Sequence, residues 1–529
     1  METGRRGLGD EIEGTTQSGE DALSVEHIGQ ELVPALTVLY HRDSRMLGKR
    51  ALLREIQVGR EAALSRFEPR FARIGDATDR GEPLADQRLS RQPVILAPRV
   101  GGGVRIVVSP SRTRVRYRGS DITEKRDISV AELLDGGVLE LGGAMALVLH
   151  SSQALSIADE EQFTLIGRSH SMQRVRTDIR RLSDLEAPVL IRGETGTGKE
   201  LAARALHTGG KRANRPFVAV NLGAIPPSLA AAELFGARRG AYTGASGRLQ
   251  GYFQQAQGGT LFLDEIGEAL PEVQVLLLRA IEAGEFQSLG GGDSQPLRAR
   301  IVTATDANLE QLIQEKAFRA PLLHRLSACE VHLPPLRARR EDLVSLVLHF
   351  LRLECAEQDC PFLLDQSEAE GPPWLSLRLM VKLAAYDWPG NVRQLRNVVR
   401  QMVLSSKGLP TLDLPAQLKE QMATDPRPAA VPIAPVRRKP SDISEAELLV
   451  ALEENRWDLK STAEALGLAR PSLYTLLDRL PHIRTARAIS TEEIQQSYRD
   501  CNGDLDVMAG SLRVSRSALR RRLRELGLR

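Results

Sequence analysis

The sequence predicts a multidomain fold: an N-terminal all-β sandwich, a central α/β unit with a helical subdomain, and an all-α C-terminal end. Three observations predict it. Short apolar runs broken by turns fill residues 35–150, strand-like and helical stretches alternate over 163–335, and the end of the chain contains an internal repeat. A chain of 529 residues also exceeds what one hydrophobic core organises, so about three or four domains are expected.

Residues 1–33 are rich in Gly, Glu, Ser and Thr, the composition of a loose tail. Met1–Glu31 is polar and acidic, unlike a secretion signal, and no apolar run approaches the ~20 residues of a membrane helix. A cytoplasmic location and no membrane partner are expected. The strand-like runs that follow are Leu36–Tyr40, Ile56–Gly59, Val94–Ala97, Val104–Ser109, Thr113–Tyr117, Val138–Leu141 and Ala146–His150. Such a series reads as a β-sandwich, with residues 66–83 as an inserted loop.

In the middle, Val189–Arg192, Phe217–Asn221, Thr260–Leu263 and Arg300–Thr305 are strand-like runs separated by helical stretches, the signature of a parallel α/β sheet. Residues 336–407 read as a helical subdomain. Residues 408–441, with prolines at 426, 428, 432, 435 and 440, read as a semi-extended linker.

The repeat appears when the chain is shifted by 46 residues (489 − 443). Ile443 then falls on Ile489, Asp458 on Asp504, Ala463 on Ala509, Arg470 on Arg516 and Leu473 on Leu519. Each copy, 442–482 and 488–529, parses as three short helices with a turn before the third. Tandem helix-turn-helix modules are expected.

Composition narrows the function. The chain is 42% hydrophobic and 26% charged, ordinary for a globular protein, with a net charge of only +3. The charge is unevenly placed: Arg513, Arg516, Arg520, Arg521, Arg522, Arg524 and Arg529 face a single acid, Glu525, after Leu512. So one-sided a patch suits a phosphate backbone. Cys329, Cys355, Cys360 and Cys501 have no histidine spacing for zinc and read as reduced structural thiols.

The sharpest local signal is Gly193, Glu194, Thr195, Gly196, Thr197, Gly198 and Lys199, placed between the strand Val189–Ile191 and a helix-forming run Glu200–Leu206. Glycines let backbone N–H groups approach phosphates, the helix start adds partial positive charge, and Lys199 reaches the terminal phosphates. Glu200 stands where the general pattern has a hydroxyl ligand for magnesium. Downstream, the strand Thr260–Leu263 runs into Asp264 and Glu265, suited to magnesium coordination and water activation respectively. The bland reading of either segment is a glycine-rich turn and a solvated strand end; strand, loop and helix in order favour nucleotide binding.

Across 163–405 these residues resemble the AAA+ domain of sigma-54-dependent activators. Gly193–Glu200 looks like that family's phosphate loop, including glutamate after the lysine. Glu233–Gly236 followed by Gly240, Ala241, Tyr242, Thr243, Gly244 and Ala245 resembles its sigma-contacting loop, with Tyr242 in place of the usual Phe and Ala237–Arg239 in place of His-Glu-Lys. Gly259–Glu268 resembles its Walker B segment. Phe318–Leu326 carries Arg319 and Arg325, which the resemblance makes arginine fingers reaching a neighbouring subunit's nucleotide. Ala320 and Pro321 replace the usual acidic pair there, and proline restrains the backbone. Trp388–Arg393 resembles the sensor II motif, with Arg393 sensing the γ-phosphate. Asn221 matches the asparagine that holds the catalytic glutamate, and Thr305 and Asp306 stand where sensor I sits. The resemblance implies ATP and Mg2+ as cofactors, with Asp264 as the metal ligand. It also implies a homo-oligomer, expected as a hexamer, and the sigma-54 RNA polymerase holoenzyme as partner.

The two ends carry resemblances of their own. Each C-terminal copy is similar to the Fis-type helix-turn-helix, implying contact with double-stranded enhancer DNA. The distal copy would use Arg516, Arg520, Arg521, Arg522 and Arg524; the proximal one has Arg470, Ser472 and Tyr474, and its role stays open. Val58–Arg60, then Asp86 through Leu89–Arg91, then Leu134–Leu141 follow one another over residues 35–150 in an order that resembles a forkhead-associated domain, whose phosphothreonine contacts would be Arg60, Ser90 and Arg91. Pro93 replaces that family's histidine and no Asn-Gly occurs near Gly119, so a phosphate-independent interaction module stays equally open. The expected function is an ATP-dependent activator that drives closed-to-open promoter conversion. The alternative is a DNA-binding repressor or scaffold with the AAA+ fold that no longer remodels sigma-54.

Overall fold

The computed structural model describes residues 32–153, 164–420 and 489–526, apart from 77, 100–101, 110–112, 239–248, 292, 361, 363–373, 416–417, 502–504 and 513, together with isolated positions between 448 and 477. Its first unit runs β1 (Leu32–Tyr40), β2 (Arg50–Leu52), α1 (Arg54–Gln57), β3 (Ala62–Leu64), β4 (Val94–Pro98), β5 (Val104–Val108), β6 (Val115–Tyr117), β7 (Ser120–Asp121), β8 (Lys125–Ile128), α2 (Val130–Asp135), β9 (Gly137–Leu141) and β10 (Met145–Gln153). One sheet has the order β2-β1-β10-β9-β6-β7 and the other β3-β4-β5-β8. Leu36, Val38, Leu96, Ile106, Leu139, Leu147 and Leu149 fill the space between them. Ile56 was expected in a strand and instead lies in the single helical turn α1. Arg54, Glu55 and Gln57 are good helix formers, and the turn buries Ile56 without needing a paired edge.

Side chains alternate between the two faces of a strand. On β10, Leu147 and Leu149 point into the sandwich, so Ala146 and Val148 point out of it. Those outward residues are not solvated. Together with Leu39, Tyr40 and Val138 they share one apolar core with the helical subdomain.

The second unit contains α3 (His170–Ser183), β11 (Val189–Arg192), α4 (Lys199–Thr208), β12 (Phe217–Asn221), α5 (Ala230–Phe235), α6 (Tyr252–Gln255), β13 (Thr260–Asp264) and α7 (Pro271–Ala283). It continues through the two short strands β14 (Glu285–Phe286) and β15 (Gln295–Pro296) to β16 (Arg300–Thr305), α8 (Leu309–Gln314), α9 (Ala320–Leu326) and β17 (Cys329–His332). The main sheet is parallel with the order β12-β13-β16-β11-β17. All six residues of β16 are buried, as expected of a parallel strand covered on both faces. Chain order reverses beside β11, and a crevice at such a switch point is where open α/β sheets bind ligands.

The lid helices are α10 (Leu343–Glu357), α11 (Leu377–Ala385) and α12 (Asn391–Ser405). Trp388, 1% exposed, fills their junction and donates from its indole Nε1 to the Leu383 carbonyl at 2.8 Å. Cys355 lies in this core, where burial pushes its thiol up, and all four cysteines are free. At the C-terminal end, helices span Thr491–Asp500, Leu505–Leu512 and Arg516–Glu525. Leu452, Trp457 and Leu473 from the first repeat share a core with Ile494, Met508, Leu519 and Leu523 from the second. Among the described residues, no helix is long and apolar enough to cross a membrane.

Candidate active site

The phosphate loop begins where β11 ends. Gly193 donates to the Thr305 carbonyl at 3.2 Å, tying the loop to the neighbouring β16. A Cβ at Gly193 would meet Leu333 at 2.9 Å, and one at Gly196 would meet the Gly390 carbonyl at 2.3 Å. Both positions therefore exclude a side chain, and the backbone itself is what lines the loop. Gly198, at φ 107, turns the chain into α4, whose first residue is Lys199. Lys199 is buried and donates from Nζ to the Gly193 carbonyl at 2.9 Å, spanning the loop from within. Thr197 closes a turn by donating to Glu194 O at 2.7 Å, and the Thr195 hydroxyl donates to Asp306. Glu200 points outward and pairs with Arg204 at 2.8 Å, so it supplies no group to the loop.

Asp264 ends β13, one strand away from β11 across β16. Parallel register sets Asn221 beside it, and the next residue, Glu265, takes a left-handed φ of 56. That backbone turn directs Glu265 back over Gly223. A Cβ at Gly223 would lie 2.7 Å from Glu265 Oε2 and 3.4 Å from Asn221 Oδ1, so the two side chains flank one small glycine. Asn221 Oδ1 also accepts from the Ala224 amide at 3.2 Å, which fixes the side chain's orientation. Burial raises the pKa of Asp264, opposed by the Glu265 amide and by the charge of Lys199. A half-buried carboxylate near a lysine, at the mouth of a backbone anion cradle, fits a hard cation shared with phosphate oxygens. Magnesium would be held by Asp264 there, with no hydroxyl contributed from position 200.

The lid closes over the loop from the other side. Arg393 is exposed, and its Cβ lies 3.1 Å from where a Gly196 side chain would begin. Asn391, Val392 and Arg393 all hydrogen-bond the loop backbone. Two residues without a sequence-assigned role also converge here: Arg337 pairs with Glu194 through both nitrogens, 2.8 Å at Nη1, and Arg339 reaches Thr197 O at 3.4 Å. Arg337 holds the Glu194 carboxyl below its ordinary range. Both arginines lie in Pro335–Arg339, where no local pattern names their partners.

Arg319 and Arg325 are absent from this cluster. Arg319 caps α9 and is exposed; Arg325, in the last turn, is exposed and meets Glu282 at 3.2 Å. Pro321 sits in the first turn of α9, where a missing N–H costs nothing and a fixed φ assists the helix start. The restraint expected of it is therefore compatible with the helix. The Gly240–Ala245 loop and Arg470, Ser472 and Tyr474 lie outside the described residues. Arg516, Arg520, Arg521, Arg522 and Arg524 are on the last helix, which Ser515 caps and whose first amide donates to Trp457 O at 3.0 Å. On the sandwich, Arg60 and Arg91 are exposed, and the Ser90 amide donates to Thr113 Oγ1 at 2.8 Å, joining two loops.

The model of the sigma-54 interaction domain matches residues 165–332, and that of the AAA+ ATPase lid domain matches 337–430. The DNA-binding transcriptional regulator NtrC of Azospirillum brasilense is 40% identical over 372 residues, 70% of this chain and 70% of that protein. This chain belongs to the NtrC-type family of sigma-54-dependent activators. NtrC of Escherichia coli K12 is 46% identical over 263 residues, 49% of this chain and 54% of that protein. Among solved structures, NtrX from Brucella abortus in complex with ATP is 30% identical, covering 69% of this chain and 70% of that one, with a TM-score of 0.43. The sigma-54 activator described here is an AAA+ P-loop ATPase, and its ATPase unit is the segment that the two family models span.

Proposed function

We propose that this activator hydrolyses ATP between adjacent protomers and uses the cycle to move the Gly240–Ala245 loop against sigma-54, opening the promoter complex. The supporting observation is the convergence of Lys199, Asp264, Glu265 and Asn221 along the C-terminal edge of the parallel sheet, with Arg393 delivered by the lid. Lys199 and the loop amides bind and orient the phosphates. Glu265 takes a proton from the attacking water, and Asn221 holds that carboxylate in place. Bound magnesium would offset charge on the phosphate oxygens beside Asp264. Arg319 and Arg325 stand away from their own chain's loop and are exposed, which suits donation to a neighbour's site in a ring, expected as a hexamer.

The ends supply address and input. The five arginines on the last helix bind enhancer DNA, contacting phosphates and guanine edges. The forkhead-associated-like sandwich takes a partner protein, with Arg60, Ser90 and Arg91 as its phosphothreonine contacts. The whole operates in the cytoplasm. The alternative, a regulator that has lost remodelling, rests on the altered loop at Ala237–Arg239 and Tyr242 and on Pro321; of these, a first-turn proline fits an intact α9.

Transcription in vitro from a sigma-54 promoter tests this directly. Open complexes should require hydrolysable ATP, and Lys199→Ala should abolish them while DNA binding persists. Open complexes formed equally with a non-hydrolysable analogue, or ATP turnover with no crosslink to sigma-54, would favour the alternative.

A further inference from the structure

The first residues of α12 do more than carry Arg393. Asn391 is fully buried yet has a φ of 51, a left-handed conformation uncommon outside glycine and tolerated by Asn. All its polar capacity toward the loop is engaged. Oδ1 accepts from the Leu336 amide at 2.8 Å, while Nδ2 donates to Glu194 Oε2 at 3.1 Å and to Thr195 O at 3.0 Å. The partners themselves fix the amide's orientation, since a backbone N–H requires an acceptor and a carbonyl requires a donor. The next two amides, of Val392 and Arg393, donate to Gly196 O at 3.0 and 3.3 Å. First-turn amides have no partner inside their own helix, so here the phosphate loop caps the lid.

We propose that Asn391 is a positioning residue for the phosphate loop, a lid-borne latch that sets which way the loop amides face. The peptide unit is planar and trans, so a carbonyl held on one edge places the following N–H on the opposite edge. Gripping Thr195 O thus turns the Gly196 N–H away from the lid, toward the side on which phosphates bind. This deepens the nucleotide reading of Gly193–Lys199 and rests on it. Asn391→Ala in the full chain should raise the KM for ATP about tenfold and change kcat less, the pattern of a lost ground-state contact. Asn391→Gly, which relaxes the backbone, should raise KM equally. Asn391→Asp should be worse, because a carboxylate then faces Glu194, and in a Glu194→Gln background that excess should vanish. KM unchanged in Asn391→Gly, or Asp and Ala variants alike in both backgrounds, overturns the latch. Absence of ATP turnover in the wild-type chain would instead overturn the nucleotide reading.

Discussion

The lid meets its two neighbours with opposite chemistry. Toward the phosphate loop it offers hydrogen bonds and one ion pair, through Asn391, Val392, Arg393 and the adjoining Arg337. Toward the sandwich it offers a continuous apolar face built from α10 and α11. Directional polar contacts depend on sub-ångström geometry and exchange readily with water, so they suit a surface that must respond to nucleotide. Apolar burial is nearly indifferent to small rotations and scales with area, so it suits a surface that must hold. The lid can therefore stay attached on one side while registering change on the other.

This contrast can be broken in several ways. The largest effect is expected from Trp388→Ala, since Trp388 supports both faces; about 3–5 kcal/mol of stability should be lost, read by denaturant unfolding. Leu383→Ala removes apolar bulk at the seam alone. It should cost about 2–5 kcal/mol with the KM for ATP retained; a raised KM would show that the two faces are not separable. Arg337→Ala should do the reverse. Its pair with Glu194 is partly exposed, worth roughly 1 kcal/mol, so KM should rise about fivefold while the melting temperature falls by no more than about 4 °C.

The smallest effect tests the polar edge of the seam. His150 is buried beside Arg50, and burial holds its pKa well below the ordinary value, so it is neutral at physiological pH. Its Nδ1 then donates to Ser151 O and its Nε2 accepts from Thr37, and no ion pair with Glu341 forms. Burial likewise pushes the Glu341 carboxyl above its usual range. A raised folded-state pKa means stability present below the unfolded value is lost as pH climbs through the folded one. Wild-type melting temperature should fall over that window, and Glu341→Gln should flatten the fall. Identical pH profiles would show that Glu341 does not titrate in the interface.

Much of the nucleotide site was legible because its parts are local. A glycine-rich loop between strand and helix, or two carboxylates ending a strand, are patterns of adjacent residues, and the parallel register then brings them together. The strand predicted at Ile56–Gly59 failed for a related reason: alternation over four residues does not separate a strand from one helical turn, and only the neighbouring Arg54, Glu55 and Gln57 decided it. Asn391 lies in a recognisable segment, Trp388–Arg393, whereas nothing local singles out Arg337. Their partner Glu194 lies 143 and 197 positions away, a distance no periodicity can bridge. The outward face of β10 was hidden similarly, because Met145–Leu149 is an unbroken apolar run in which alternation marks no exposed side.

By itself, the sequence determined the order of units, the phosphate loop, the carboxylate pair and the basic final helix, because each is encoded by neighbours along the chain. Tertiary structure alone decided that the lid grips the loop by its backbone and that the sandwich's second face is buried against the lid. Both depend on which distant surfaces meet, and local sequence constrains the composition of a surface without specifying the surface it will cover.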